Sequence, residues 1–544
     1  MNAAQKFVEC LENEGVTEIF GIPGEENLAV MDALLSSNIR FILTRHEQGA
    51  AFMADVYGRL TGRAGVCLGT LGPGATNLIT GFADANMDRA PIVGIAGQGS
   101  SERLHKESHQ IIDLVSMFEP ISKYCAQVRS PGIVNEVVRK AFKDAQSEKP
   151  GGAFIELPED IADMEAPDIP PLRRQSARVP EAPRDKIRQA AELISSAKYP
   201  LVMAGNGVVR AGASEALVAF AEQLRIPVAT TFMAKGAIPS SHDCSLGTVG
   251  LQANDYVACG FDRADLVICV GYDMVEYHPN LWNPDRDQRI VHIDATPAEV
   301  DAHYILEAGV VGDIARSLNG IAGLASPQAS FQAGGLRSHI MEEFAAYKDD
   351  TAMPMKPQKI IWDLRQALQP DDIVVSDVGA HKMWMARMYQ AEKPNTCIIS
   401  NGFASMGIGV PGAIAAKIAH PDRTALTVTG DAGFLMNSQE LETALRIGTP
   451  IVVLVWNDSE YGLIKWHQLR RYGRESNIRF TNPDLVRHAE SYGAKGYRVE
   501  SAADLLPTIK QAIEDDTVVV IDCPVDYREN MKLTEQLGNL VCPI

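Results

Sequence analysis

From Thr424 the chain reads TALTVTG, then DAGFLMN, then SQELETALRIG with helical spacing, and then PIVVLVWN. The runs TALTVTG and PIVVLVWN are β-rich and carry no charged residue, so they are expected to be strands covered on both faces, as in a parallel sheet. The amphipathic segment between them, with Gly448 as a stop signal, completes a βαβ unit. A chain built from such units is confined to α/β layers with helices on both sides of the sheet. It also has a preferred place for a ligand, the crevice beyond the carboxyl ends of the strands. Asp431 and Asp458 follow two neighbouring strand ends, and two carboxylates gathered in one crevice repel unless a positive charge lies between them. A hard divalent cation that takes oxygen ligands meets that need.

The same pattern runs through the whole chain. EIFGIPG, FILTRHE, AGVCLGTLGPG, PIVGIAG and AFIELP read as strands of a first unit. PLVMAG, IPVATT, ADLVICVG, RIVHID and GVVGDI belong to a second, and DIVVSD, TCIIS, TALTVTG, PIVVLVWN and TVVVIDCP to a third. The Pro- and Arg-rich stretch Pro167–Asp185 is a linker, and a looser region lies near 326–338. At 544 residues, three doubly wound α/β domains are expected, spanning 1–170, 186–330 and 355–544. Gly-rich turns at strand ends in both the first and the third suggest duplicated modules.

The net charge of −19 argues against nucleic-acid and anionic-membrane partners and favours a small molecule. Nine cysteines without a C-x-x-C pair read as reduced, packed thiols. Together with an amino terminus that opens directly into an amphipathic helix, and with no apolar run of membrane length, they lead to an expected cytoplasmic location.

In the third unit, backbone N–H groups of the turn Gly430–Asp431–Ala432–Gly433 are placed to receive a phosphate whose oxygens a Mg²⁺ bridges to Asp431 and Asp458. The plain alternative is a helix cap at Asp431 and a turn at Asp458. Asn437 is either a cap or a contact to the phosphate end. In DVGAHKMW, Gly379 and His381 follow another strand end and would enclose phosphates from the other side, although a histidine there is also an ordinary structural residue. Met406, set among small residues in NGFASMGIGVPG, either supports a planar ligand or packs in the core. In the first unit, Glu47 stands where a strand gives way to a helix and either complements the helix terminus or serves as a buried proton carrier. The turn Gly72–Pro73–Gly74 lets a ligand approach the backbone, and Asn77 is placed to orient a polar edge. His109, Gln110 and Lys123 are candidates for a carboxylate or carbonyl, or are members of solvated loops.

Taken in order, GIPGEEN, RHEQGAAFMADVYGRLTG, LGPGATNLITG, DVGAHKMW, SNGFASMGIGVP and GDAGFLMNSQELETA resemble the thiamine diphosphate-dependent carboligases and decarboxylases, most of all the acetolactate synthases. The resemblance implies a pyrimidine-binding, a central and a diphosphate-binding domain, with active sites between subunits of a homodimer or homotetramer. It implies thiamine diphosphate and Mg²⁺ as cofactors and a 2-keto acid substrate. Glu47 would hydrogen-bond the aminopyrimidine ring. Asp431, Asp458 and the carbonyl of Glu460 would hold Mg²⁺, while Gly379 and His381 would touch the diphosphate. The Ala404 carbonyl would accept from the pyrimidine amino group and Met406 would keep the cofactor bent. Gly74, Asn77, Gly430, Ala432, Gly433 and Tyr461 complete the expected cofactor contacts, and His109, Gln110 and Lys123 the acceptor contacts. The implied reaction decarboxylates pyruvate and joins the fragment to a second pyruvate as 2-acetolactate. The alternative within the superfamily is a 2-hydroxyacyl-CoA lyase, a sulfoacetaldehyde acetyltransferase or a pyruvate oxidase. Two departures narrow the subtype: His467 stands where biosynthetic enzymes carry Trp, which argues against a 2-ketobutyrate preference, and GYDMVEYHPNLWN replaces an Arg-Phe-Asp segment, which resembles the FAD-free catabolic enzymes. FAD is therefore not expected, although AGNGVVRAGA keeps a Gly-rich turn.

Overall fold

In a computed structural model, residues 1–175, 178–250, 258–329 and 333–531 are described. Of the carboxyl-terminal segment Asp526–Ile544, whose role the sequence leaves open between a lid and surface packing, residues 532–544 lie outside them.

Among the described residues, eighteen strands form three six-stranded sheets in which every pairing is parallel. The first contains Glu18–Gly21, Arg40–Leu43, Gly65–Gly69, Ile92–Gln98, Tyr124–Gln127 and Gly152–Pro158 (β1 to β6). The second contains Pro200–Ala204, Val228–Thr230, Ser245–Thr248, Leu266–Val270, Ile290–Asp294 and Leu306–Val311 (β7 to β12). The third contains Ile373–Ser376, Cys397–Ile399, Ala425–Gly430, Val452–Asn457, Lys495–Arg498 and Val519–Pro524 (β13 to β18).

The spatial orders are β2-β1-β3-β4-β6-β5 and β14-β13-β15-β16-β18-β17, the same permutation in the first and third units. The middle sheet runs β12-β11-β10-β7-β8-β9, the order of a dinucleotide-binding fold. The first and third sheets thus repeat one module, as their shared glycine turns suggested.

One apolar core runs without interruption from the first unit into the third. It contains Phe52, Met53 and Val56 from helix Glu47–Thr61 beside Val410, Ala413 and Ile414 from helix Gly409–Ala419. Small residues on both helices allow this approach. The segment expected as one helix before Gly448 is broken: helix Asp431–Asn437 ends and Glu440–Arg446 begins, with Gly448 at φ +65° after it. The break lets Asn437 donate to the Gly407 carbonyl (2.8 Å) and to Gln48 Oε1 (3.1 Å), so Asn437 joins two domains and is not an N-terminal cap.

Candidate active site

In the third sheet, β13 leads to β14 on one side and β15 returns on the other, which makes the carboxyl ends of β13 and β15 a topological switch point. Three aspartates follow the strand ends there: Asp377 after β13, Asp431 after β15 and Asp458 after β16. Asp431 is buried, and its Oδ2 accepts from Ser459 N–H and Asn482 Nδ2, both at 2.7 Å. Its Oδ1 accepts from Ala432 N–H at 2.8 Å. Burial raises the Asp431 carboxyl above the ordinary range, and burial together with the Asp431 charge pushes Asp458 up to about 8. This is the electrostatic signature of two acids gathered where a cation would relieve them. Among the described residues no group of three or more His, Cys, Asp or Glu side chains is arranged to hold a metal, so a cation here would need a neutral oxygen beside the two carboxylates. The Glu460 carboxylate is engaged elsewhere, with Lys465 at 2.5 Å and Arg479 at 3.1 Å, which leaves its carbonyl as the group to offer.

His381 is buried in the first turn of helix Ala380–Met388, and its Nε2 has no hydrogen-bond partner. Burial pushes it down to about 4, so the ring is neutral at physiological pH. It packs against Gly379 and Gly430, where an added Cβ would lie 2.9 and 3.5 Å from its Cε1. Gly433 faces Asp377, since a Cβ there would come within 3.0 Å of Asp377 Oδ1. The donor set therefore suits a diphosphate with its cation: two carboxylates in need of positive charge, an orphaned imidazole nitrogen, and the start of a helix free of side-chain bulk. Tyr461 is farther out and half-exposed, its ring 5.2 Å from that of Phe480.

The loop that carries Ala404 and Met406 is held from two sides. Asp377 accepts from Gly407 N–H and Gly409 N–H at 2.9 Å. Across the domain boundary, Asp84 accepts from Ser405 N–H (3.2 Å) and Asp88 from Gly402 N–H (2.5 Å). Ala404 adopts φ +58°, a left-handed conformation uncommon for a residue with a side chain, and Met406 is only partly buried. The loop is thus fixed in a shape that keeps Met406 out of the core.

In the first domain, Glu47 begins helix Glu47–Thr61 and is buried, and its Oε2 accepts from Asn77 Nδ2 at 3.0 Å. Gly74 adjoins it, since a Cβ there would lie 3.4 Å from Glu47 Oε1. Gln110 reaches the same turn from the following loop, with φ +60° and its carbonyl 2.8 Å from where a Gly72 Cβ would stand. His109 is exposed beside it, its carbonyl accepting from Arg103 at 3.4 Å. Lys123 is placed differently. It precedes β5, at the amino-terminal edge of the sheet, and donates to the carbonyls of Ser147 and Lys149 at 2.6 Å. Within one chain it is therefore at the opposite end of the sheet from Glu47.

Two contributors had no clear sequence signal. Asn482 lies in a polar turn and orients Asp431 from a distant part of the chain. Asp377 was visible only as a strand end, and its role in fixing the Met406 loop emerges from backbone contacts.

In the central domain, the carboxylate of Glu276 fills the turn after β7. It accepts from Asn206 N–H at 3.1 Å and Asp273 N–H at 3.3 Å, and from the Thr231 hydroxyl. Gly205 and Gly207 pack directly on Gly271, each within 2.7 Å of it if given a Cβ. Gly205 and Gly207 of AGNGVVRAGA thus serve strand-end packing.

Three domains, a duplicated sheet and a two-carboxylate crevice define a cofactor-dependent α/β enzyme. The family models agree: residues 1–117 match the N-terminal TPP binding domain of thiamine pyrophosphate enzymes, 187–321 their central domain and 377–523 their C-terminal TPP binding domain. The chain belongs to the thiamine pyrophosphate enzymes, and within them to the acetolactate synthase family. It is 37% identical to the acetolactate synthase of Bacillus subtilis, over 99% of this chain and 96% of that protein. It is 36% identical to the catabolic acetolactate synthase of Raoultella terrigena, over 98% and 97%, and 35% identical to a probable acetolactate synthase large subunit of Methanocaldococcus jannaschii, over 100% and 96%.

Proposed function

We propose that this chain decarboxylates pyruvate and joins the resulting fragment to a second pyruvate, forming 2-acetolactate and CO₂, with thiamine diphosphate and Mg²⁺. The observation that carries the reading is the pairing of Asp431 and Asp458 near His381, whose Nε2 is unpartnered, next to a loop that displays Met406. Asp431, Asp458 and the Glu460 carbonyl hold Mg²⁺. Gly379, His381 and the Gly430–Gly433 turn hold the diphosphate, with Tyr461 at the rim. Ala404 and Met406 orient the ring system. When bound, the cofactor would supply the sink for the electron pair left on the keto carbon of pyruvate as its carboxylate departs as CO₂. Glu47, oriented by Asn77 and flanked by Gly74, holds the proton that is exchanged with the pyrimidine end. Gln110 and His109 are the contacts offered to the acceptor 2-keto acid, whereas Lys123, at the opposite end of the sheet with its ammonium on the Ser147 and Lys149 carbonyls, is not among them.

The protein works as a homodimer or homotetramer, in which Glu47 of one subunit faces the Asp431 crevice of another. It works without FAD, a reading supported by Glu276, whose carboxylate already takes the amides of the central glycine turn. Among the described residues no helix is long and apolar enough to cross a membrane. The buried free thiols suit a reducing, cytoplasmic compartment, and the net charge of −19 suits a small-molecule partner over nucleic acid.

The test is to supply purified protein with thiamine diphosphate, Mg²⁺ and pyruvate and to assay both CO₂ and acetolactate. One acetolactate per CO₂ is expected; acetaldehyde as the product, or no turnover, would overturn the reading. Glu47→Gln is expected to lower kcat by about 10²- to 10⁴-fold with diphosphate affinity retained. Co-expressing Glu47→Gln with Asp431→Asn subunits is expected to restore activity through mixed dimers that hold one intact site. No restoration would place both residues in one subunit's site.

A further inference from the structure

Helices Glu47–Thr61 and Pro73–Met87 lie side by side and are joined by polar pairs along their length. At one end Asn77 donates to Glu47 (3.0 Å), and at the other Arg59 pairs with Asp88, which caps the second helix, at 3.1 Å. Between them stand two carboxyl groups, Asp55 and Asp84. Both are fully buried, and neither Asp55 oxygen nor Asp84 Oδ2 has a partner among protein donors. Asp84 Oδ1, in contrast, accepts from the Ser400 hydroxyl at 2.8 Å and from Ser405 N–H at 3.2 Å, on the loop that carries Ala404 and Met406. Asp88 accepts from Asn401 N–H at 3.1 Å and Gly402 N–H at 2.5 Å on the same loop, and Arg59 adds a bond to the Ile399 carbonyl at 3.1 Å.

The charges that face this cluster can be enumerated. Arg59 comes from the first helix and Lys382 from helix Ala380–Met388, and opposite them stand Asp55, Asp84 and Asp88. Two cations neutralise two carboxylates. A third buried carboxylate would be uncompensated, at a cost of several kcal/mol, so one of the three acids carries a proton. The orphaned oxygens identify which. We propose that Asp55 and Asp84 share one proton across the two helices, and that this proton makes Asp84 a positioning residue for the cofactor loop Ser400–Gly407. Burial and the neighbouring Asp84 charge hold the Asp55 carboxyl well above the usual carboxylate range, as the arrangement requires. With the proton in place, Asp84 turns Oδ2 to Asp55 and keeps Oδ1 for the loop. Without it, two carboxylates repel across the helix pair and the loop loses one of its two anchors in the first domain. The inference rests on the reading that this loop supports thiamine diphosphate.

The experiment uses full-length oligomeric protein and three variants: Asp55→Asn, which is permanently neutral and can donate, Asp55→Leu, which cannot donate, and Ser405→Pro, which removes one N–H that Asp84 receives. In an infrared difference spectrum at neutral pH, wild type minus Asp55→Asn is expected to show the carbonyl stretch of a protonated carboxylic acid. Thiamine diphosphate affinity with Mg²⁺, read from tryptophan fluorescence, is expected to stay within about twofold of wild type in Asp55→Asn and to fall about tenfold in Asp55→Leu and Ser405→Pro. From pH 7 to pH 9 the wild-type affinity is expected to fall by more than that of Asp55→Asn. Lys382, pushed down to about 8 by burial, titrates in both proteins alike, so the difference between them isolates the shared proton. Absence of the carboxylic acid band, or equal losses in Asp55→Asn and Asp55→Leu, would overturn the inference. If Asp55→Leu does not fold, the pH comparison of Asp55→Asn with wild type decides alone. A wild type that binds no thiamine diphosphate would instead sink the underlying reading, and the infrared difference would still report on the proton.

Discussion

Asn482 contributes to the site through a single amide. Its Nδ2 reaches Asp431 Oδ2 at 2.7 Å and Asn457 Oδ1 at 3.1 Å, so it fixes the direction of the carboxylate proposed to face a cation. Groups that orient a metal ligand are worth about 10- to 100-fold in metal affinity. Asn482→Ala is therefore expected to weaken Mg²⁺-dependent cofactor binding by that range with little change in unfolding midpoint; an unaltered titration would remove its assigned role. Asp431 and Asp458 stood out as candidates because each follows a β-rich strand pattern, where a charge has no packing reason to be. Glu47 and Met406 were ambiguous one at a time and became informative only within the resemblance. Asn482 and Asp377 were not legible as site residues. The first acts across the chain from a turn that reads as ordinary punctuation. The second acts on backbone N–H groups, which leave no mark on side-chain type.

At the scale of elements, the central strands were all readable and one strand in each sheet was not. The missing strands are Tyr124–Gln127, Ser245–Thr248 and Lys495–Arg498, and each forms the edge of its sheet. An edge strand has one neighbour and a partly solvated face, so it needs no continuous apolar run, and the polar character of YCAQ and KGYR follows from that position, whereas SLGT is largely buried and is four residues long with Gly247 at φ +83° inside it. The helix pair under the site shows the converse, a tight constraint carried by one small residue. Gly81 lies where an added Cβ would be 2.7 Å from Ala51 Cβ and 2.8 Å from Phe52 N, so the two helices touch through its missing side chain. Gly81→Ala gains about 1 kcal/mol of helix propensity but overpacks the contact at a cost of about 1–3 kcal/mol. A lower Tm is expected, with weaker cofactor binding because the Glu47–Asn77 pair spans the same two helices. A Tm above wild type would show that the helices separate freely.

Over the whole molecule, the buried acids set how stability responds to pH. Burial pushes Asp88, Asp294, Asp377 and Glu440 up to about 6, Glu276 to about 7 and Asp458 to about 8, and holds Asp55 higher than the ordinary range as well. A carboxyl held above its unfolded value keeps its proton in the native state. Its contribution is complete below about pH 4 and is lost as pH rises through the folded value. His292 and His381, both pushed down to about 4, and His420, His467 and His488, lowered by burial, act in the opposite sense below about pH 6.5. Lys123, Lys235 and Lys382, pushed down to about 8, do so at the top of the range, but the raised carboxyls outnumber them all. Carboxyls lowered by ion pairs, such as Asp273 and Asp526, titrate below this window and leave it unchanged. The protein without metal is therefore expected to lose stability steadily from pH 5.5 to pH 8, read as a falling urea midpoint in excess chelator. Surface repulsion at a net charge of −19 has the same sign, but it is screened by salt whereas buried acids are not. The fall should thus persist in 0.5 M salt, a concentration at which the Debye length is about 4 Å. Saturating Mg²⁺ and thiamine diphosphate should reduce it, because a cation held by Asp431 and Asp458 would relieve the repulsion that raises Asp458. A midpoint that rises with pH, or one whose fall vanishes in salt, would mean that the buried carboxyls are ionised in the native state.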